Sequence, residues 1–265
     1  MAVITTMKSW CRLLAVAAGL GGASLLRAQT GPAAAVTLEQ GDALEEKMRT
    51  KEALEVYLQL EKAGRKDTEL LCRIALEYSE LIVDTRAPSE KQRLGEIALD
   101  YSKRAVAADA ANAKGYLSLS VSYGRLAFFQ DNRTKLEYSR LIRANAETAL
   151  RLDPRLDYAH YVLGAWNYEL ANLDFVRRGL ARLIYGGLPD ASNDRAVQYL
   201  QAAIALAPQR SSHHIELGRA YAAMGKSELA RAELEQGLAL PIRAKDDEEM
   251  QRLGREALKK LPKKR

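Results

Sequence analysis

The sequence predicts an all-α protein built from repeated helical hairpins, and three observations support this prediction. Ala, Leu, Glu, Arg and Lys, which favour helices, dominate the 265 residues, and only 7 prolines and 17 glycines interrupt them. Runs in which apolar and polar residues alternate with a period of two, as strands require, are absent. Small, aromatic and proline residues also recur in one fixed order along the chain.

The clearest repeat unit lies in residues 211–241. Small residues stand where two antiparallel helices would approach closely, an aromatic residue fills the space between them, and a proline stops the second helix. This order and spacing are those of a tetratricopeptide unit. The residues that carry the pattern are Leu217, Gly218, Tyr221, Gly225, Ala230, Leu234, Gly237 and Pro241.

The same frame recurs in four earlier stretches, so we expect a tetratricopeptide-like right-handed solenoid of about five helical hairpins. From Pro154 to Pro208 is 54 residues, whereas a minimal unit needs about 34, and the surplus predicts long inserts such as residues 171–189. Residues 245–260 place acids first and bases last, which predicts a C-terminal capping helix. The earlier frames are marked by Leu163 and Gly164, by Tyr116, Leu119 and Tyr123, by Leu71, Ala75 and Tyr78, and by Gly41 and Leu44.

Residues 1–28 have the layout of a secretory signal peptide. Lys8 and Arg12 precede an uncharged apolar stretch at 13–26, and Ala28 offers a cleavage site. The apolar stretch is shorter than the about 20 residues that a membrane-spanning helix needs. A mitochondrial presequence remains the alternative, because such segments are also basic and free of acids.

The predicted domain organisation follows from this leader. Residues 29–36 read as a flexible linker, and residues 37–265 form the helical domain. We therefore expect an exported protein, periplasmic or secreted. Whether residues 1–28 are cleaved or retained as an anchor stays open at this point.

The formal net charge of +6 does not indicate a nucleic-acid-binding protein. Three bases lie in residues 1–28, and removing that segment lowers the net charge to +3. Five more bases lie in residues 259–265, so the part between is close to neutral. Nucleic-acid binding would need a basic face on the folded part. We interpret the terminal run as a solvated tail, while contact of this tail with an anionic membrane surface stays open.

The sequence contains no motif of a known active site. His-Glu-x-x-His, Cys-x-x-Cys, phosphate-loop and Gly-x-Ser-x-Gly patterns are absent. His213 and His214 are adjacent and diverge on a helix, and His160 is interpreted as a structural histidine. Cys72 lies in an apolar run and is interpreted as a small buried side chain. We predict no enzyme, no cofactor, no metal site and no small-molecule substrate.

The candidate binding surface is the concave side of the solenoid, which positions two, five, nine, twelve and thirteen of each first helix would line. Tyrosine and arginine are common anchors at protein interfaces, so their presence at these positions predicts a protein or peptide partner. The alternative is that some tyrosines pack against the inserted helix of their own unit. The candidate groove residues are Tyr158, Tyr161, Tyr168, Glu169, Ile215, Arg219, Lys114 and Arg125.

Residues 159–241 resemble the regulator of microtubule dynamics family, a tetratricopeptide family with bacterial and animal members. The motif HYVLGAWNYELANL and the closing LALP carry the resemblance. The resemblance implies the helical-repeat fold and a binding-scaffold role. Animal members are associated with microtubules and organelle contacts. We carry over the scaffold and not the microtubule partner, since an exported protein does not meet tubulin.

Three classes of function remain open on the sequence. The first is a non-catalytic protein- or peptide-binding scaffold of the cell envelope. The second is a protein like the animal regulators of microtubule dynamics, associated with a membrane or organelle in a eukaryotic-type setting. The third is a structural component that assembles with itself. A convergent pair of carboxylates or histidines at an insert would instead favour an enzyme.

Overall fold

A computed structural model of the protein describes residues 36–175, 178–179, 182–183 and 190–262, all within one unit, Val36–Arg265. No helix among these residues is long and apolar enough to cross a membrane. Several sequence predictions lie outside the described residues: the signal peptide at 1–28, the linker at 29–35, the insert positions 176–177, 180–181 and 184–189, and the tail residues 263–265.

Within the described ranges the backbone forms helices joined by turns, and no strand is present there. This agrees with the composition, which favours helices throughout. Eleven helices have both ends in these ranges: α1 (Leu38–Glu45), α2 (Thr50–Lys62), α3 (Thr68–Asp84), α4 (Pro88–Ala108), α5 (Ala113–Ala127), α6 (Asn132–Leu152), α7 (Asp157–Ala171), α8 (Asn193–Leu206), α9 (Ser211–Ala223), α10 (Ser227–Ala239) and α11 (Asp247–Lys260).

The helices pair as the repeat pattern predicts. α1 packs on α2, α3 on α4, α5 on α6, α7 on α8, and α9 on α10, and each hairpin packs on the next. α11 packs on both helices of the last hairpin. The predicted solenoid of five hairpins with a C-terminal capping helix is therefore confirmed.

Glycine allows close approach of the two helices in the last two hairpins. A Cβ added at Gly164 would lie 2.6 Å from Leu200 Cγ, and one added at Gly218 would lie 2.6 Å from Leu234 Cγ. Real side chains do not approach so closely, so only glycine lets these helices cross at this distance. The Leu-Gly pair of the repeat thus has the packing role that its spacing predicts.

The unequal repeat spacing comes from two sources. α4 and α6 have 21 residues each, whereas α8 has 14 and α10 has 13. The connection between α7 and α8 adds a further long insert within the fourth hairpin. The paired helices therefore differ in length while the crossing points keep the tetratricopeptide order.

Candidate functional site

The first helices of the hairpins form the concave face. α3 packs on α5, α5 on α7, and α7 on α9, so these helices lie side by side as an inner layer. α4, α6, α8 and α10 form the outer layer. We use the term concave face for the side of α3, α5, α7 and α9 that points away from the outer layer.

The C-terminal segment, residues 240–262, reaches the concave face through residues 245–254, while its end packs on the outer helix α10, where Arg231 donates to the Pro262 carbonyl at 2.6 Å. Before α11 begins, Asp246 forms an ion pair with Arg125 near the end of α5. Lys245 forms an ion pair with Asp84 at the end of α3. The segment therefore contacts side chains more than a hundred residues earlier in the chain, well beyond the last hairpin.

α11 continues this contact over α7 and α9. The Tyr161 hydroxyl donates to the Met250 sulfur at 3.9 Å. Gly254 lies so close to Ile215 that an added Cβ would be 3.3 Å from Ile215 Cγ1, and Ile215 is fully buried. The chain's own C-terminal segment thus contacts three of the candidate groove residues, Arg125, Tyr161 and Ile215.

Arg125 is held between two carboxylates. Its Nη1 donates to Asp246 Oδ1 at 2.8 Å, and its Nη2 lies 3.7 Å from Glu80 Oε1. Burial opposes the charge of the guanidinium, but the facing Asp246 and Glu80 prevail and the pKa of Arg125 is raised. Arg125 therefore joins the C-terminal segment to α3 and α5.

Two tyrosines of α7 form an aromatic floor beneath α11. The rings of Tyr158 and Tyr161 are 5.0 Å apart, and Tyr161 stacks on His213 at 5.1 Å. Burial raises the pKa of Tyr158 to about 12 and also holds the pKa of Tyr161 well above its usual range. Burial also lowers the pKa of His213, whose Nε2 lies 3.1 Å from Asp157 Oδ2. These tyrosines stay protonated and offer hydroxyl groups at neutral pH.

A second group of candidate residues meets at the ends of α7 and α9. The Arg219 guanidinium lies 4.7 Å from the centre of the Tyr168 ring. Its Nη1 donates to Glu216 Oε2 at 2.6 Å, and its Nη2 lies 3.6 Å from Glu169 Oε1. Tyr168, Glu169 and Arg219 thus form one cation–π and ion-pair cluster.

Lys114 stands apart from both groups. It is exposed at the start of α5, and its charge acts on the thiol of Cys72. Cys72 is half-buried, and not fully buried as the apolar run predicts. This burial raises the pKa of the thiol to about 11, which disfavours the reactive thiolate. The fold thus places Arg125, Tyr158, Tyr161 and Ile215 by the C-terminal segment, Tyr168, Glu169 and Arg219 in their own cluster, and Lys114 separately.

Sequence reasoning missed the acidic residues of the concave face. Glu77 on α3 is 1% exposed, and neither of its carboxylate oxygens has a hydrogen-bond partner. Burial, reinforced by Glu45 and Glu80, raises the pKa of Glu77 to about 8. One feature of the sequence could have identified Glu77: it stands three residues after Ile74, on a helix face that is otherwise apolar.

An open cleft of about 570 Å³ lies on the other side of α7, among α6, α7 and α8. Its two carboxylates do not converge on a reacting position: Glu147 pairs with Arg143 at 2.7 Å, and Asp190 pairs with Arg195 at 2.5 Å. No cluster of three metal-ligating side chains occurs in the part of the chain that the structure describes. The geometry therefore adds no support to the enzyme alternative.

The paired helices and the concave face define a helical-repeat scaffold of the tetratricopeptide class. The structure is similar to that of a thermophilic TPR protein of Thermus thermophilus, with a TM-score of 0.57 and 24% identity, over 83% of this chain and 96% of that one. The family model of regulator of microtubule dynamics proteins 1-3 matches residues 37–262, so the chain belongs to this family. The resemblance inferred from HYVLGAWNYELANL is confirmed.

Two vertebrate relatives show how far this match extends. Regulator of microtubule dynamics protein 1 of Mus musculus is 23% identical over 81% of this chain and 70% of its own length. Regulator of microtubule dynamics protein 2 of Homo sapiens is 23% identical over 76% of this chain and 49% of its own length. The chain thus spans about half the length of the second relative.

Proposed function

We propose that the protein is a non-catalytic scaffold whose concave face binds a segment of a protein partner. The observation that carries this proposal is the position of the chain's own C-terminal segment on that face. The segment pairs with Arg125, contacts Tyr161 and packs against Ile215, which also packs against Gly237 of α10. These are the arginine, tyrosine and apolar contacts by which interfaces hold a partner.

The partner that this surface favours is an amphipathic helix. α11 has Met250, Leu253 and Leu258 among mostly polar residues, and Met250 contacts the Tyr161 hydroxyl. Helix-in-groove recognition uses apolar anchors three, four or seven residues apart, and Met250 and Leu253 are three residues apart. A partner helix of similar pattern can take the same place once α11 has moved away.

The C-terminal segment would then regulate binding by competition. A tethered segment competes at an effective concentration on the order of millimolar. A partner must therefore bind more tightly than the segment, or the segment must first be released. We propose that the occupied state described here is the closed state of the scaffold.

We propose the cell envelope as the setting, on the basis of the predicted leader at residues 1–28. N-terminal sequencing of the protein from its native source tests this directly. A start at Gln29 supports export. An intact N-terminus supports an anchor, and a different cut supports a mitochondrial presequence. The last two results favour the alternative that the relatives' name suggests, a protein acting near microtubules.

Recovery of partners from extracts of the source cells tests the concave face. The double variant Tyr161→Ala with Arg219→Ala removes one residue from the aromatic floor and one from the cation–π and ion-pair cluster. The matched control, Tyr199→Ala with Arg195→Ala, removes the same residue types from the cleft beside α8. We expect the control to retain the partners of the wild-type protein and the first variant to lose them. Equal recovery with both variants contradicts the assignment of the concave face.

A further inference from the structure

We propose that Glu45, Glu77 and Glu80 form an acidic subsite of the concave face that binds a lysine or arginine side chain of the partner segment. This inference rests on the proposed function. It adds the chemistry of the partner: a basic residue, followed directly by an acid, ahead of an amphipathic helix. We call these three residues the acidic subsite.

The acidic subsite joins two helices. Glu45 ends α1, and its Oε2 accepts a hydrogen bond from the Tyr57 hydroxyl at 3.1 Å. Glu77 and Glu80 lie one turn apart on α3. Their carboxylates act on one another, since Glu45 and Glu80 both contribute to the raised pKa of Glu77. Like charges gathered from separate helices oppose folding unless a cation compensates them.

Glu77 shows that this compensation is incomplete. Its side chain is 1% exposed, and both oxygens lack a hydrogen-bond partner. Lys245 and, to a smaller extent, the Thr50 hydroxyl lower its pKa, but by less than burial and the other two glutamates raise it. The Thr50 hydroxyl approaches Glu77 without reaching hydrogen-bond geometry. A buried polar group without a partner destabilises the fold. We interpret this carboxyl group as a position at which a donor binds in another state of the protein.

Lys245 of the C-terminal segment approaches this position. Its ammonium group pairs with Asp84 on α3, is 14% exposed, and attracts both Glu77 and Glu80. It does so without a hydrogen bond to Glu77. The cation of the chain's own segment therefore reaches the edge of the acidic subsite and leaves its centre unpaired.

The next residue completes the charge pattern. Asp246 pairs with Arg125, which also lies 3.7 Å from Glu80. If the segment leaves, Lys245 leaves with it, and Arg125 is then the cation near the acidic subsite and Asp84. One end of the face would then carry several carboxyl groups with a single positive anchor beside them, and a bound cation would favour the ionised forms of these carboxyl groups. A partner segment with a basic residue followed by an acidic one would place its base at the acidic subsite and its acid at Arg125.

The test requires a protein whose own segment has been released. Gly254→Leu achieves this, because even a Cβ at Gly254 lies 3.3 Å from Ile215 and leucine does not fit there. Leucine is a better helix former than glycine, so the substitution does not weaken α11 as a helix. Arg255→Leu on the exposed side of α11 is the matched control. Met250→Ala, which removes the contact to Tyr161, releases the segment by a second route.

The probe is a fluorescent peptide of residues 240–262, measured by anisotropy against the full chain. We expect the Gly254→Leu and Met250→Ala proteins to bind it at least about tenfold more tightly than wild type, because their own tethered segment competes less well for the face. Replacing Lys245→Glu in the peptide should weaken binding at least about tenfold, whereas Lys245→Arg should preserve it. Glu77→Gln with Glu80→Gln in the released protein should remove most of this discrimination.

Three results would overturn the proposal in distinguishable ways. If the Lys245→Glu peptide binds the released proteins as well as the native peptide does, the acidic subsite is refuted and the groove remains. If no peptide binds either released protein, the proposed function falls with it. If Gly254→Leu forms a dimer in light scattering whose groove excludes the peptide, a second copy is the occupant and a foreign partner is refuted.

Discussion

Replacing Glu77 by glutamine should stabilise the protein, and increasingly so as the pH rises. Glu77 is buried without a hydrogen-bond partner, and its pKa is raised from 4.5 to about 8 by burial first and by Glu45 and Glu80 next. The folded state therefore holds a proton that the unfolded state releases between pH 4.5 and 8. Because the folded state binds more protons there, wild-type stability falls as the pH rises through this window.

The magnitude follows from the two pKa values. One pKa unit corresponds to about 1.36 kcal/mol, so the advantage of Glu77→Gln should grow by about 3 kcal/mol between pH 5 and pH 7.5. No correction for solvent screening is needed, since the side chain is 1% exposed. Glu45 and Glu80 remain in both proteins, so their titration largely cancels in the comparison.

Urea unfolding of both proteins at several pH values measures this difference. Glu55→Gln on the exposed side of α2 is the control, and we expect it to leave the pH dependence unchanged. A Glu77→Gln advantage that stays flat from pH 5 to pH 7.5 would refute the reasoning. It would mean that Glu77 is ionised in the folded protein, and therefore that it has a cationic or hydrogen-bonding partner.

Three further predictions concern packing, the thiol and the C-terminal segment. Gly218→Ala should destabilise the protein by roughly 1–3 kcal/mol in urea unfolding, because its Cβ would meet Leu234 at 2.6 Å. Gly124→Ala, whose Cβ has no neighbour closer than 3.9 Å, should not destabilise it, and equal losses would contradict the packing argument. Cys72 should react with a thiol reagent much more slowly in the folded than in the urea-unfolded protein, since burial raises its pKa to about 11. Equal rates would show that the fold does not protect the thiol. Arg125→Ala should speed amide hydrogen exchange in α11, because the ion pair to Asp246 is lost, and unchanged exchange would show that this pair does not hold the segment.

The hairpins were predictable because their signals are local. Gly164 and Gly218 must stand where two helices cross, and the helices that cross are neighbours in the chain. The same holds for the prolines and for the capping helix, whose acids come first and bases last. The positions of the candidate groove residues on the first helices follow from the same periodicity. The contacts that cover those residues do not follow from the periodicity.

The helical repeat and the family could therefore be predicted from the sequence, because both depend on spacings within about 34 residues. The contacts of residues 245–254 with the concave face, and the burial of Glu77 without a hydrogen-bond partner, depend on the tertiary structure. Contacts such as Lys245 with Asp84 join residues far apart in the chain. Their pairing depends on how successive hairpins curve, and that curvature is the sum of small packing angles that no single repeat encodes.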